Sequence, residues 1–267
     1  MTIMPANSSI TAPSLKLHRD TGFGEVSNIC SSVETAGKPP IPVTGTALAV
    51  NNLTLGVAAH LPCSTGRGGA RNRIDRESIA LTAAQVAHLR AAERHSKAIG
   101  APFTRMVTIH WEAAGVPLTG MARATGRFTD LLTKALARHG SGTAWLWTHE
   151  NGDGKGGHCH LLAHIPADLV TVITGLQRGW LRRITGNPYR PRVIRSRPIG
   201  GWLGLEISNP QLHAVNLEAA LAYILKAANR EAASQFALDK LQPGGRVIGK
   251  RCGTSQNIGA KARNAKE

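Results

Sequence analysis

The chain has 267 residues, enough for one sizeable domain with an extension, and carries 32 lysines and arginines against 16 aspartates and glutamates, a formal net charge of +16. That balance points to a polyanionic partner, and with no run of about 18 apolar residues a membrane-spanning helix is not expected. Cys30, Cys63, Cys159 and Cys252 are scattered without a Cys-x-x-Cys pair, which argues against a disulfide framework and a zinc finger and predicts free thiols. The start MTIMPANSSITAPS lacks the charged and apolar regions of a secretory signal, so a cytoplasmic location is expected.

Residues 1–74 are rich in Ser, Thr, Gly and Pro with weak periodicity, and TGRGGARNR at 65–73 reads as a linker, so 1–74 is expected to be a poorly ordered extension. The expected domain spans 75–260, with 261–267 as a tail. Its first helix opens at Thr82, where Thr82 and Gln85 make a capping box and Leu81 can staple onto Val86, and it stops at Gly100. A strand over 104–111 precedes a helix with Phe128, Leu131, Leu132, Ala135 and Leu136 on one face, ending at Gly140. A hairpin at 143–150 and 157–165 follows, then a helix with Leu169, Val172, Ile173, Leu176 and Trp180 on one stripe, and a short strand near 192–198. The last helix carries Leu217, Leu221, Ile224, Leu225 and Ala228 on one face, with Asn216 as the expected N-cap. This β-α-β-β-α-β order predicts an α+β, ferredoxin-like antiparallel sheet with helices on one face and the other face free.

Within the hairpin, GHCHLLAHIP places His158 and His160 on one side of a strand, because side chains alternate. Glu150 ends the facing strand, so two imidazoles and a carboxylate can converge, a donor set suited to a divalent metal with open positions. His164 shares the strand face but lies farther along. On the final helix Tyr223, Lys226 and Arg230 fall opposite the apolar stripe, which displays the tyrosine. Lys226 stands one turn from Tyr223, where its charge would favour phenolate.

Between Asp168 and Glu206 there is no acid, while Arg178, Arg182, Arg183, Arg190, Arg192, Arg195 and Arg197 all occur there. Trp180, Tyr189 and Trp202 are interleaved with them, the pattern by which single strands are held on aromatics beside a basic track. With Arg230, these arginines are the expected DNA contacts. The competing reading is a solvated basic loop over core tryptophans.

In this order the motifs resemble the HUH superfamily of single-strand DNA nickases, and more narrowly the rolling-circle replication initiators of plasmids and filamentous phages. TRMVTIHW at 104–111 is similar to the family's first strand, His158 and His160 to its histidine pair, and Tyr223 with Lys226 to its Tyr-x-x-Lys motif. Glu150 sits where the family places its polar third ligand, and GKRCGTSQNIG at 249–259 is similar to a tail of many bacterial initiators. The resemblance covers about residues 100 to 260. Cys159 departs from the bulky residue usual between the histidines, and no second tyrosine lies a turn from Tyr223.

The resemblance implies metal-assisted transesterification with magnesium or manganese: Tyr223 attacks a scissile phosphate, leaving a 5′-phosphotyrosine and a free 3′-hydroxyl. Gly249 and Lys250 are followed by Arg251 rather than by a P-loop's Ser or Thr, so unwinding is expected from a host helicase. A relaxase usually places its tyrosine before the histidine pair, whereas a small transposase of the superfamily shares the order found here. A non-catalytic nucleic-acid-binding module on a ferredoxin-like sheet explains the charge and the aromatics, but not the joint presence of Glu150, the histidine pair and Tyr223.

Overall fold

The computed structural model describes residues 75–265. The expected extension 1–74, with Cys30 and Cys63, lies outside the described residues. Strand β1 (Glu77–Ser78) leads to helix α1 (Ala83–Ala98), whose start is the expected capping box: Gln85 N–H donates to Thr82 Oγ1 at 3.3 Å and Thr82 N–H to Gln85 Oε1 at 2.9 Å. Then follow β2 (Arg105–His110), α2 (Met121–Arg138), the hairpin β3 (Trp145–Gly152) and β4 (Gly156–Ala163), α3 (Val170–Thr185) and β5 (Ile194–Pro198). The chain continues with α4 (Leu205–Ser208), α5 (Pro210–Leu225), α6 (Arg230–Gln235), β6 (Val247–Ile248), β7 (Cys252–Thr254) and α7 (Ala260–Asn264).

The fold is α+β. Five strands form an antiparallel sheet in the order β5-β2-β4-β3-β7, and β1 pairs separately with β6. Alternation along the strands separates two cores. Val107, Ile109, Trp147, Cys159 and Leu161 meet Phe128, Leu132 and Leu136 of α2 and Ile173, Trp180 and Leu181 of α3. On the opposite face Leu146 and Leu162 meet Val86, Leu89 and Ala92 of α1 and Leu217, Leu221, Ile224 and Leu225 of α5.

Helices therefore cover both faces, not one. The tyrosine helix has an apolar stripe that must leave water, and each fully buried Leu or Ile there contributes about 1.5–3 kcal/mol, so α5 docks on the sheet instead of standing clear of it. What stays open is the end of that face beyond Leu146 and Leu162.

The start of α5 also differs from expectation. Its cap is Asn209, whose Oδ1 accepts from Leu212 N–H at 3.0 Å, with Pro210 at the first helical position. Asn216 lies inside the helix and donates to Leu212 O. The C-terminal run supplies β7, a fifth strand beside β3, and the expected tail forms most of α7. Among the described residues no helix is long and apolar enough to cross a membrane. Cys159 and Cys252 are buried free thiols, and burial pushes them up to about 12 and about 11.

Candidate metal centre and tyrosine site

The register sets the site. Glu150 of β3 faces His158 of β4, and Thr108 of β2 and Thr148 of β3 flank His160, so all these side chains share the face on which α5 lies. Thr148 Oγ1 donates to Ile224 O at 3.2 Å and fixes the C-terminal end of α5 over this row. Leu81 ties down the same end, donating to Ala227 O at 2.8 Å and accepting from Asn229 N–H at 2.9 Å. Tyr223 and Lys226 are thereby held above the histidine pair.

Glu150, His158 and His160 are buried, and one ligating atom from each lies within 4.8 Å of the others. His158 Nε2 and His160 Nε2 approach Glu150 Oε2 at 3.4 and 3.7 Å. His158 Nδ1 lies 2.8 Å from Gly156 O, so it must donate, which leaves the Nε2 lone pair free. His160 Nδ1 lies 3.1 Å from Thr108 Oγ1, while its buried Nε2 has no hydrogen-bond partner. An orphaned buried nitrogen aimed at a carboxylate and a second imidazole is the arrangement a divalent metal completes, and the Nδ1 partners orient the rings as outer hydrogen bonds do in metal sites. The cluster could hold a divalent metal.

Lys226 is the unexpected member. It is buried, not displayed: Lys226 caps α5 with helical dihedrals, φ −56° and ψ −23°, and its stem carries the ammonium down to Glu150. Its Nζ donates to Glu150 Oε1 and Oε2 at 2.5 and 2.6 Å. Burial pushes the Glu150 carboxyl up, but the two imidazoles when protonated, with the Lys226 ammonium, outweigh it and hold the carboxyl well below its ordinary value. Burial lowers both Lys226 and His160, and Glu150 opposes it in each.

Tyr223 is 43% exposed, and its ring meets His160 edge-on with centroids 5.1 Å apart. Lys226 Nζ lies over the ring face, 4.2 Å from its centroid, rather than at the phenol oxygen. The expectation that Lys226 favours phenolate is therefore corrected: burial, then the Glu150 charge, raises the tyrosine above its ordinary value, since Glu150 takes up the lysine.

A cavity of about 520 Å³ opens over the cluster. Its walls add His110, Lys155 and Gln242, which the sequence did not single out; the one available signal was that His110 follows Thr108 by two in a strand. Gln242 is placed by the C-terminal run. Buried Arg251 donates to Gly245 O, Ser78 O and His149 O and clamps Gly244 and Gly245 against β3. Gly245, at φ 63°, passes so close to the Asn151 carbonyl that a Cβ would collide with it. His149, on the other side of β3, lies in the α2 core, and His164 Nδ1 lies 2.7 Å from Pro102 O, so neither joins the site.

The arginine run does not form one track. Arg192 and Arg195 line the cavity, and Arg197 shares the face of Arg195 two residues along β5. Arg178, Arg182 and Arg183 are on α3, whose Ile173, Gln177, Trp180 and Leu181 must face the opposite side of the sheet. Arg178 stacks over Tyr189 at 5.3 Å, and Arg190 donates to Ala113 O. Arg230 is exposed at the start of α6. Trp180 is buried edge-on to Phe128, a core residue rather than a stacking platform, whereas Trp202 is 58% exposed.

No protein-family profile and no curated protein matches the chain. Among solved structures, a similarity extends to the N-terminal nuclease domain of the Minute virus of mice non-structural protein 1, described as coordinating Zn2+ in its active-site pocket and recognising DNA at the origin of replication. The identity is 9%, the match covers 50% of this chain and 69% of that one, and the TM-score is 0.25.

Proposed function

We propose that the chain is a metal-assisted, tyrosine-dependent DNA nickase of the HUH type that initiates rolling-circle replication. The observation that carries this is the buried convergence of Glu150, His158 and His160, with the orphaned His160 Nε2, beside a half-exposed tyrosine. The strand order β5-β2-β4-β3 supports the ferredoxin-like arrangement, to which β7 is an addition. A non-catalytic binding module gives no account of this centre together with Tyr223 beside it.

Glu150, His158 and His160 would hold the ion, taken as magnesium or manganese, through one oxygen and two nitrogens. When bound, it supplies Lewis-acid polarisation of the scissile phosphate. The Tyr223 oxygen forms a bond to phosphorus and loses its proton to solvent; the bond from phosphorus to the 3′ oxygen breaks, and that oxygen takes up a proton. The products are a 5′-phosphotyrosine and a free 3′-hydroxyl, and the retained ester energy allows rejoining without ATP. Arg192, Arg195 and Arg197 on the site face, with Arg230 and the arginines of α3 farther off, would contact DNA phosphates. Strand separation would fall to a partner helicase.

The order of the tyrosine after the histidine pair favours an initiator over a relaxase, with a transposase of the same superfamily as the alternative. The test is a single-stranded oligonucleotide library incubated with the protein in manganese and again in excess chelator. Shortened strands with free 3′ ends only in manganese are expected; an intact library in both, despite binding, would leave only the binding-module reading.

A further inference from the structure

The cavity has a second wall that the metal and tyrosine do not use. His110 faces His158 directly across β2 and β4, with the rings stacked at 5.4 Å and 29°. Arg195 faces Thr108, the residue that holds His160, one strand farther out. Lys155 enters from the β3–β4 turn and Arg192 from the bend before β5. His110, Lys155, Arg192 and Arg195 thus gather on one side, with Asp153 as the acid among them; Glu150 is already engaged by Lys226.

One observation shows that this crowding is built in. Arg192 is held at φ 68°, one of two non-glycine residues with positive φ among the described residues. An L-residue resists that conformation, and such strain persists where the surroundings over-determine it, commonly at ligand-binding sites. The bend is locked by His110 itself, whose N–H donates to Val193 O at 2.8 Å.

We infer that this wall is a second phosphate subsite, which holds a non-scissile phosphodiester of the same single strand next to the one at the metal centre. It rests on the nickase reading. Guanidinium forks and an ammonium match phosphate oxygens, and the one ring on this wall, His110, is already stacked on His158. The subsite runs from β4 over β2 to β5, so the strand crosses the sheet from the tyrosine towards Arg195. A contact to a non-reacting phosphate is made equally in ground and transition states, so its loss raises KM and leaves kcat nearly unchanged.

The test compares how well the dinucleotide TpT, with one phosphate, and the trinucleotide TpTpT, with two, displace a labelled oligothymidine from the full chain in manganese. The second phosphate should tighten binding by about 10-fold in the native protein and by about 2-fold in an Arg192→Gly, Arg195→Gln double variant. Arg192→Gly alone should also raise Tm by about 2–4 °C, because glycine accepts the positive φ, so weaker binding cannot be ascribed to unfolding. Arg138→Gln, on α2 across the sheet, should keep the 10-fold gain. A full gain in the double variant overturns the subsite while leaving the nickase reading intact. Failure of the native protein to bind the labelled oligothymidine overturns both.

Discussion

Lys226 grips both oxygens of Glu150, at 2.5 and 2.6 Å, inside the cluster that would ligate a metal. A lone buried carboxylate is costly, and removing one partner of such a pair destabilises by about 3–5 kcal/mol. The ammonium therefore stabilises the metal-free fold, and it competes with a divalent ion for the same lone pairs. Lys226→Met should lower Tm in chelator, recover most of it in manganese, and tighten manganese binding by about 10-fold in calorimetric titration. Weaker manganese binding in the variant would show that the lysine supports the ion rather than competing with it.

Thr108 touches no candidate metal position, yet its hydroxyl meets His160 Nδ1 at 3.1 Å and so aims Nε2. Removing such an outer partner weakens metal affinity by about 10–100-fold. Thr108→Val keeps the shape and the β-branch, so the fold should hold while the manganese Kd rises by that factor. An unchanged Kd would mean that packing alone orients the ring.

His149 lies on the far side of β3 from Glu150, in a chain of neutral hydrogen bonds. Trp111 Nε1 donates to Thr125 Oγ1 at 2.8 Å, Thr125 Oγ1 lies 2.8 Å from His149 Nε2, and His149 Nδ1 lies 2.9 Å from Lys250 O. Burial pushes this imidazole down to about 3 from an ordinary 6.5. Its folded value is depressed, so the unfolded chain binds the proton first; the stabilisation is full above 6.5 and is lost progressively as pH falls from there towards 3. Urea unfolding at about pH 7 and about pH 5 should show a loss of roughly 2 kcal/mol from this residue, smaller in His149→Gln. Equal losses in both proteins would assign the pH dependence to other groups.

The hairpin and the histidine pair were legible because a period of two fixes which residues share a face, and the Thr82 and Gln85 box because capping is local. The start of α5 was not. Gln211, His213 and Asn216 made its first turns look polar, although His213 is buried with Nε2 3.0 Å from Phe103 O. Lys226 was placed outward by helical periodicity, yet the carboxylate that draws it inward is 76 positions away in the chain. Arg251 and β7 carry no periodic signal; a fully buried arginine makes sense only once its carbonyl partners at Ser78, Gly244 and Gly245 are in place. The arginine run looked continuous because sequence proximity hides the change of face between α3 and β5.

A nickase of the proposed kind joins Tyr223 to DNA through a phosphotyrosine bond. The most direct measurement is peptide mass spectrometry of the protein after manganese-dependent reaction with a single-stranded oligonucleotide library and nuclease digestion. A residual nucleotide phosphate should appear on the peptide carrying Tyr223, and Tyr223→Phe should lose the adduct and the nicking while keeping its fold and DNA affinity, since the half-exposed hydroxyl holds no core together. An adduct that persists in Tyr223→Phe, or that maps to Tyr189, would contradict the assignment.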